Sequence, residues 1–264
     1  MKFPSDQDLQ QVLHQLARLQ QLGRHRYYSS NDIYYHIKSS QTGVVMLADD
    51  LIGRLAQLDT PAVSDALDAL ALPGRVTGLK RFTTRRRITG RVLTVKLGAG
   101  PAIAGPPRHL CTQAVEAASP GDILAIEQRS GVEAAGWGGI LSNGALVKKI
   151  SGVIVDGPVR DIDESAELKF PVFARSAIPT TARGRIVEEA FNKPITIGEV
   201  IVKPGDLALA DGSGICFLAQ EHASRLIETA ELIAKREKLM TERVLAGEPI
   251  SKVMGLDYEQ MLEC

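Results

Sequence analysis

Apolar residues recur along this chain in two rhythms. Leu9, Val12, Leu13, Leu16, Leu19 and Leu22 stand at helical spacing ahead of Gly23, behind Ser5 and Asp8 in capping-box order, and predict an amphipathic helix over about residues 6–22. A second short pattern spans Asp32 to Lys38. Leu51 to Leu58 reads as helical, and Thr60-Pro61 opens a helix over Ala62 to Leu70, since proline suits a first turn. His109 to Ala118 is a further helix. A long one closes the chain, about His222 to Ala246, with Leu226, Ala230, Ile233 and Ala234 in one stripe and Gly247 as its stop.

Between these helices the period shortens. Gly90 to Leu97 alternates and predicts a half-exposed strand, whereas Val153-Ile154-Val155, with a glycine on each side, predicts a fully buried one. Pro171 to Ala174, Ile195 to Val202 and Ile215 to Leu218 supply further strands. Pro120-Gly121-Asp122 and Pro204-Gly205-Asp206 each lead into such a run, and Pro then Gly suits the centre of a type II turn. Helices at both ends of a strand-rich middle predict an α/β fold with mixed sheets, not strict βαβ alternation. The expected organisation is an N-terminal helical arm over 1–45, a main domain over 46–250 and a tail over 251–264. The arm, which carries Tyr27, Tyr28, Tyr34 and Tyr35, either packs on a neighbouring subunit, covers a site, or lies on its own domain as a helical hairpin.

Composition adds mainly exclusions. At 264 residues and 44% hydrophobic the chain can bury one large core. Lys+Arg and Asp+Glu are 31 each, so no overall field favours nucleic acid or an anionic membrane. The basic cluster Lys80-Arg81 and Arg85-Arg86-Arg87 lacks interleaved aromatics and reads as a solvated edge or subunit contact. No apolar stretch approaches the roughly 20 residues of a membrane span and the N-terminus lacks a signal-peptide core, so a cytoplasmic location is expected. Cys111, Cys216 and Cys264 form no CxxC pair and read as reduced thiols.

The chemistry concentrates in residues 131–164. A glycine-rich loop, Gly136-Trp137-Gly138-Gly139, leads into a short helical pattern, and the buried run ends in Asp156-Gly157-Pro158-Val159-Arg160-Asp161. Asp161 and Glu164 have a plain explanation as the acidic cap of a helix over Ile162 to Leu168. That leaves Arg160 unexplained. An arginine suits bidentate binding of a substrate carboxylate, and an adjacent aspartate can hold Mg²⁺ or Mn²⁺ while leaving sites for water and substrate. Together they suit a 2-oxo acid.

The run from Gly138 through Asp161 resembles the 4-hydroxy-4-methyl-2-oxoglutarate aldolase family, which also contains the regulator of ribonuclease E activity. Thr60-Pro61-Ala62-Val63-Ser64-Asp65-Ala66-Leu67, both Pro-Gly-Asp turns and Ala210-Asp211-Gly212 extend the likeness over about residues 51–247. The resemblance implies a swivelling β/β/α fold, a trimer or a hexamer made from trimers, and active sites at subunit interfaces. It places the family's substrate arginine on Arg160 and its metal-anchoring aspartate on Asp161. The loop Gly138 and Gly139 and the amides of Ile140 and Leu141 would receive the pyruvyl carboxylate, and Glu237 on the last helix would reach a neighbouring site.

One departure stands out. The aldolases carry an aspartate where this chain has Gly139, 21 positions before Arg160. A carboxylate that orients water at the metal is thereby lost, a change that commonly costs about 10–100-fold, and Glu133 is the nearest replacement in sequence. The expected activity is metal-dependent carbon–carbon cleavage of a 2-oxo acid through a pyruvate enolate, by retro-aldol cleavage of a 4-hydroxy-2-oxo acid, oxaloacetate-type decarboxylation, or both. The alternatives are a non-catalytic regulatory protein of the same fold, and a lyase or hydratase on another hydroxy or keto diacid. Lys148 and Lys149, adjacent on a predicted helix, are not placed for Schiff-base chemistry.

Overall fold

The computed structural model describes residues 50–100 and 109–255; the predicted helices at 6–22 and 32–38, the rest of the arm and the end of the tail lie outside them. After a helical stretch at 50–55 come α1 (Thr60–Ala69), β1 (Arg75–Val76), β2 (Lys80–Arg81), β3 (Ile88–Ala99) and α2 (Thr112–Ala117). The middle continues with β4 (Ile123–Gln128), α3 (Gly139–Val147), β5 (Gly152–Val159), α4 (Ile162–Glu167) and β6 (Val172–Ala177). The chain then runs through β7 (Ile186–Phe191), β8 (Ile195–Ile197), β9 (Val200–Val202), β10 (Leu207–Ala210), β11 (Ile215–Leu218), α5 (Ala223–Leu245) and α6 (Ile250–Val253).

Among the described residues nine strands form one mixed sheet in the order β1-β11-β10-β3-β4-β5-β6-β2, with β7 on the far part of β3. The mixed α/β architecture is as expected. Within it, however, β3, β4, β5 and β6 are parallel neighbours joined through α2, α3 and α4, so strict alternation holds over this part. Parallel pairing requires such crossovers, and they cover one face of the strands.

Side-chain alternation sorts the strands into layers. Leu124 and Ile126 of β4 and Val153 and Val155 of β5 join Trp137, Leu141 and Phe170 under α2–α4, whereas Ile123, Ala125 and Ile154 point the other way. There they meet Ala208 and Ala210 of β10 and Ile215 and Phe217 of β11. The opposite faces of β10 and β11, through Leu207, Leu209, Cys216 and Leu218, pack on α1 and α5. Strands thus lie on strands, with helices outside on both sides.

Local chemistry accounts for most boundaries. Asp59 caps α1 by accepting the Ala62 amide at 3.0 Å. Asp211 accepts both the Thr60 amide at 3.0 Å and the Thr60 hydroxyl at 2.5 Å, which ties the two sequence motifs together. Gly121 and Gly205 have φ of +89° and +91°, as the Pro-Gly turns require. α5 falls within a residue of its predicted limits and stops before Gly247.

Other expectations need correction. Ile195 to Val202 is a hairpin of β8 and β9, not one strand, because the chain reverses at Gly198-Glu199. It is clipped to the sheet by buried Asp156, which accepts the Gly198 amide at 2.7 Å and pairs with Arg175, and by Glu127, which accepts the Thr196 amide at 2.7 Å. The helix expected over His109 to Ala118 is shorter, α2. β3 is longer than Gly90 to Leu97, and its inner-facing residues alternate with half-buried ones, not exposed ones. Of the basic cluster, Lys80 and Arg81 form the edge strand β2, as expected of an edge, and Arg86 and Arg87, between β2 and β3, donate to the carbonyls of Ser151 and Leu58.

Candidate active site

The site is built where β5 ends. The β5–β6 register shifts between Val155 and Pro158, an irregularity that re-aims the end of the strand. The glycine-rich loop lies against that end: the Gly136 amide donates to the Pro158 carbonyl at 2.9 Å and the Arg160 amide to the Trp137 carbonyl at 3.1 Å. Gly138 then starts α3, and Asp161 starts α4.

Asp161 does not cap its own helix. Its backbone is left-handed at φ +57° and its side chain makes no capping bond to α4. Its Oδ2 instead accepts the Gly139 amide at 2.9 Å and Arg160 Nε at 3.2 Å. Glu164 also leaves the cap and takes the Asn143 side-chain amide of α3 at 2.8 Å. The capping-box expectation therefore fails for both residues, and both carboxylates turn toward the start of α3. Left-handed backbone at a non-glycine residue is a mild strain that clusters at functional sites, and aspartate tolerates it.

The glycines make this convergence possible. A Cβ on Gly138 would lie 2.8 Å from Asp161 Oδ2 and 3.4 Å from Arg160 Nε, and one on Gly139 would overlap the Glu164 carboxylate. Neither position has room for a side chain while these groups stay in place. The carboxylate over Gly139 is therefore that of Glu164; Glu133, the sequence's nearest candidate, is an exposed residue of the preceding loop.

Beneath the site, Trp137 Nε1 donates to Ser142 Oγ at 2.9 Å, and Ser142 Oγ lies 2.9 Å from Ser165 Oγ. All three residues are buried, with Trp137 stacked on Phe170, so the network fixes α3 against α4. Sequence reading overlooked Ser142, Ser165 and Asn143. Their signal was weak, a small polar residue on the inner side of each short helix.

The arrangement offers a positive and a negative half. The amides of Ile140 and Leu141 have no hydrogen-bond partner among the described residues. They add the donors of a helix N-terminus to the Arg160 guanidinium, a setting suited to a carboxylate. Asp161 Oδ1 likewise accepts no bond among the described residues, and the Asp161 side chain is 35% exposed. A hard oxygen donor left open beside an anion-binding corner fits Mg²⁺ or Mn²⁺, which bind through one or two carboxylates and complete their shell with water and substrate. No group of three or more His, Cys, Asp or Glu suited to a metal occurs among the described residues.

Four other residues named from the sequence lie elsewhere or do other work. Asp156, in the same motif, is a buried structural carboxylate. Glu237, expected to reach a neighbouring subunit's site, sits on α5, where burial and then Asp59 and Asp65 push its carboxyl above the ordinary value. Lys148 and Lys149 are both exposed.

The family model described as RraA-like, Aldolase/RraA, matches residues 60–217. The chain belongs to the RraA-like family. The matched span runs from the start of α1 into β11 and holds the whole Arg160 site. Among similar proteins, an uncharacterized protein of Methanocaldococcus jannaschii is 36% identical over 47% of this chain and 60% of its own length. A putative 4-hydroxy-4-methyl-2-oxoglutarate aldolase of Halalkalibacterium halodurans is 29% identical over 75% of this chain and 91% of its own. The chain spans 34% of the length of another match, Protein DlpA of Legionella pneumophila. An uncharacterized protein of Pseudomonas syringae superimposes with a TM-score of 0.71 at 25% identity, covering 78% of this chain and 98% of that one. Among the described residues no helix is long and apolar enough to cross a membrane.

Proposed function

We propose that this protein is a divalent-metal-dependent carbon–carbon lyase acting on a 2-oxo acid. The observation that carries the reading is the meeting of Arg160 and Asp161 with the open amides of Ile140 and Leu141 at the start of α3. An RraA-like fold with relatives named as aldolases supports it.

In this reading the amides of Ile140 and Leu141 receive the substrate carboxylate, and Arg160 spans its carboxylate and keto oxygens. Asp161 holds Mg²⁺ or Mn²⁺, which when bound polarises the keto group and lowers the cost of the enolate charge. Arg160 faces the oxygen on which that charge develops, so its contact strengthens as the bond breaks. Asp161 is kept in place by the Gly139 amide, which leaves its second oxygen for the ion. A carbonyl leaving group makes the reaction a retro-aldol cleavage, and CO₂ makes it a decarboxylation.

A homotrimer, or a hexamer made from two trimers, belongs to the same proposal. Ile140 and Val147, two turns apart on α3, are 88% and 81% exposed, and Leu239, Leu245 and Ile250 leave a second apolar surface at the end of α5. A neighbouring subunit covering α3 would close the site, and Glu237 is the residue proposed to reach it.

The test is pyruvate release by the full chain from oxaloacetate and from 4-hydroxy-2-oxo acids with Mg²⁺ or Mn²⁺. Release that stops on chelation supports the reading; none from any of these substrates contradicts it.

A further inference from the structure

Glu164 lies where a residue-139 side chain would be, yet it belongs to another helix. Its Oε1 accepts the Asn143 amide at 2.8 Å, and the same Asn143 nitrogen donates to the Gly139 carbonyl at 3.0 Å, so the glutamate is moored to the first turn of α3. Its Oε2 has no partner among the described residues and is the atom a Cβ on Gly139 would strike first. A helix-capping glutamate would have turned back to its own amides. This one projects across to the strand-end corner occupied by Arg160 and Asp161.

We propose that Glu164 is the base for aldol cleavage, supplying from α4 the carboxylate that Gly139 lacks. The inference rests on the lyase reading above and deepens it. The two carboxylates divide the labour: Asp161 is pinned by the Gly139 amide and Arg160, whereas Glu164 keeps an open oxygen for a proton. As the carbon–carbon bond of a 4-hydroxy-2-oxo acid breaks, Glu164 takes the hydroxyl proton and the hydroxyl carbon becomes a carbonyl. The bond's electron pair passes to the enolate, whose carbon then takes a proton from solvent while Glu164 returns its own. One proton leaves and one arrives. Decarboxylation of oxaloacetate has no hydroxyl proton to remove, so it needs Arg160 and Asp161 but not this base.

That difference supplies a test that a merely structural role would not pass. In the full-length protein with Mg²⁺, Glu164→Gln, which keeps the size and the Asn143 contact, is expected to lower kcat for aldol cleavage about 100-fold or more, the usual worth of a general base. KM, oxaloacetate decarboxylation and Mg²⁺-dependent oxalate binding by calorimetry are expected to stay within about threefold of wild type, well short of that general-base effect. Gly139→Asp placed on Glu164→Ala, where the space over residue 139 has been cleared, is expected to recover aldol cleavage relative to Glu164→Ala alone. If aldol cleavage is unmoved by Glu164→Gln, or both reactions fall together, the inference is overturned while the Arg160–Asp161 reading stands. A wild-type protein that performs neither reaction removes both.

Discussion

Asp161 Oδ2 accepts the Gly139 amide at 2.9 Å, so the residue that opens α4 is used to hold the first turn of α3. The left-handed backbone at Asp161, φ +57°, is the conformational cost of that exchange. Asparagine tolerates the conformation but loses the charge, so Asp161→Asn is expected to keep the thermal midpoint within a few degrees and to abolish Mg²⁺-dependent activity. Asp161→Ala should add a stability loss of about 1–2 kcal/mol, because an ordinary side chain is disfavoured there. Chemical denaturation alongside the activity assay separates the two.

Ser142 joins Trp137 to Ser165 inside the wall between α3 and α4. Ser142→Ala leaves the buried Trp137 Nε1 without its acceptor, and a loss of about 1–3 kcal/mol is expected from urea unfolding. Because the same loop positions Gly138, Gly139 and the amides beyond them, substrate affinity should weaken as well.

Asp211 is expected to be a stability residue with a defined pH window. Burial raises its carboxyl value, but the two bonds from Thr60, the Ser213 amide and Arg87 outweigh burial and hold it below the ordinary 3.8. A depressed native value means the contribution is complete above the unfolded value of about 3.8 and is lost as pH falls through the lower folded value. Asp211→Asn should therefore destabilise at pH 7, by about 1–3 kcal/mol as the charge-assisted bonds from Thr60 are weakened. Its difference from wild type should shrink below pH 3.8, as followed by denaturation at several pH values.

Cys111 and Cys216 are buried free thiols. Burial pushes both upward, Cys216 to about 12, with Asp211 adding to the effect there. Neither is expected to react with iodoacetamide at pH 7.5 until the protein is unfolded, which peptide mass spectrometry checks.

How far the sequence could be read depended on the range of the interactions. Val153-Ile154-Val155 and Ile215 to Leu218 announce buried strands because burial on both faces demands an unbroken apolar run, and both are found. α5 was legible through its one-sided apolar stripe and Gly247. β7 was missed because Glu188 and Glu189 interrupt it; Glu188 is spent on the Cys111 amide, 77 residues away. Ile195 to Val202 is apolar on both sides of Gly198-Glu199 and reads as one run, and the reversal shows in the pairing of Ile195 with Val202. At the site, Arg160 and Asp161 were found by residue type. Glu164 was read as a cap because capping rules are local, while its partner Asn143 lies 21 residues back.

The central claim is that Arg160 and Asp161 form one metal and 2-oxo acid site. Calorimetric titration of oxalate, a mimic of the pyruvate enolate, into the full chain tests it most directly. Oxalate is expected to bind with Mg²⁺ and not without it, and binding should be lost in both Arg160→Ala and Asp161→Asn variants that remain folded. Oxalate binding that ignores Mg²⁺ or survives both substitutions would contradict the account.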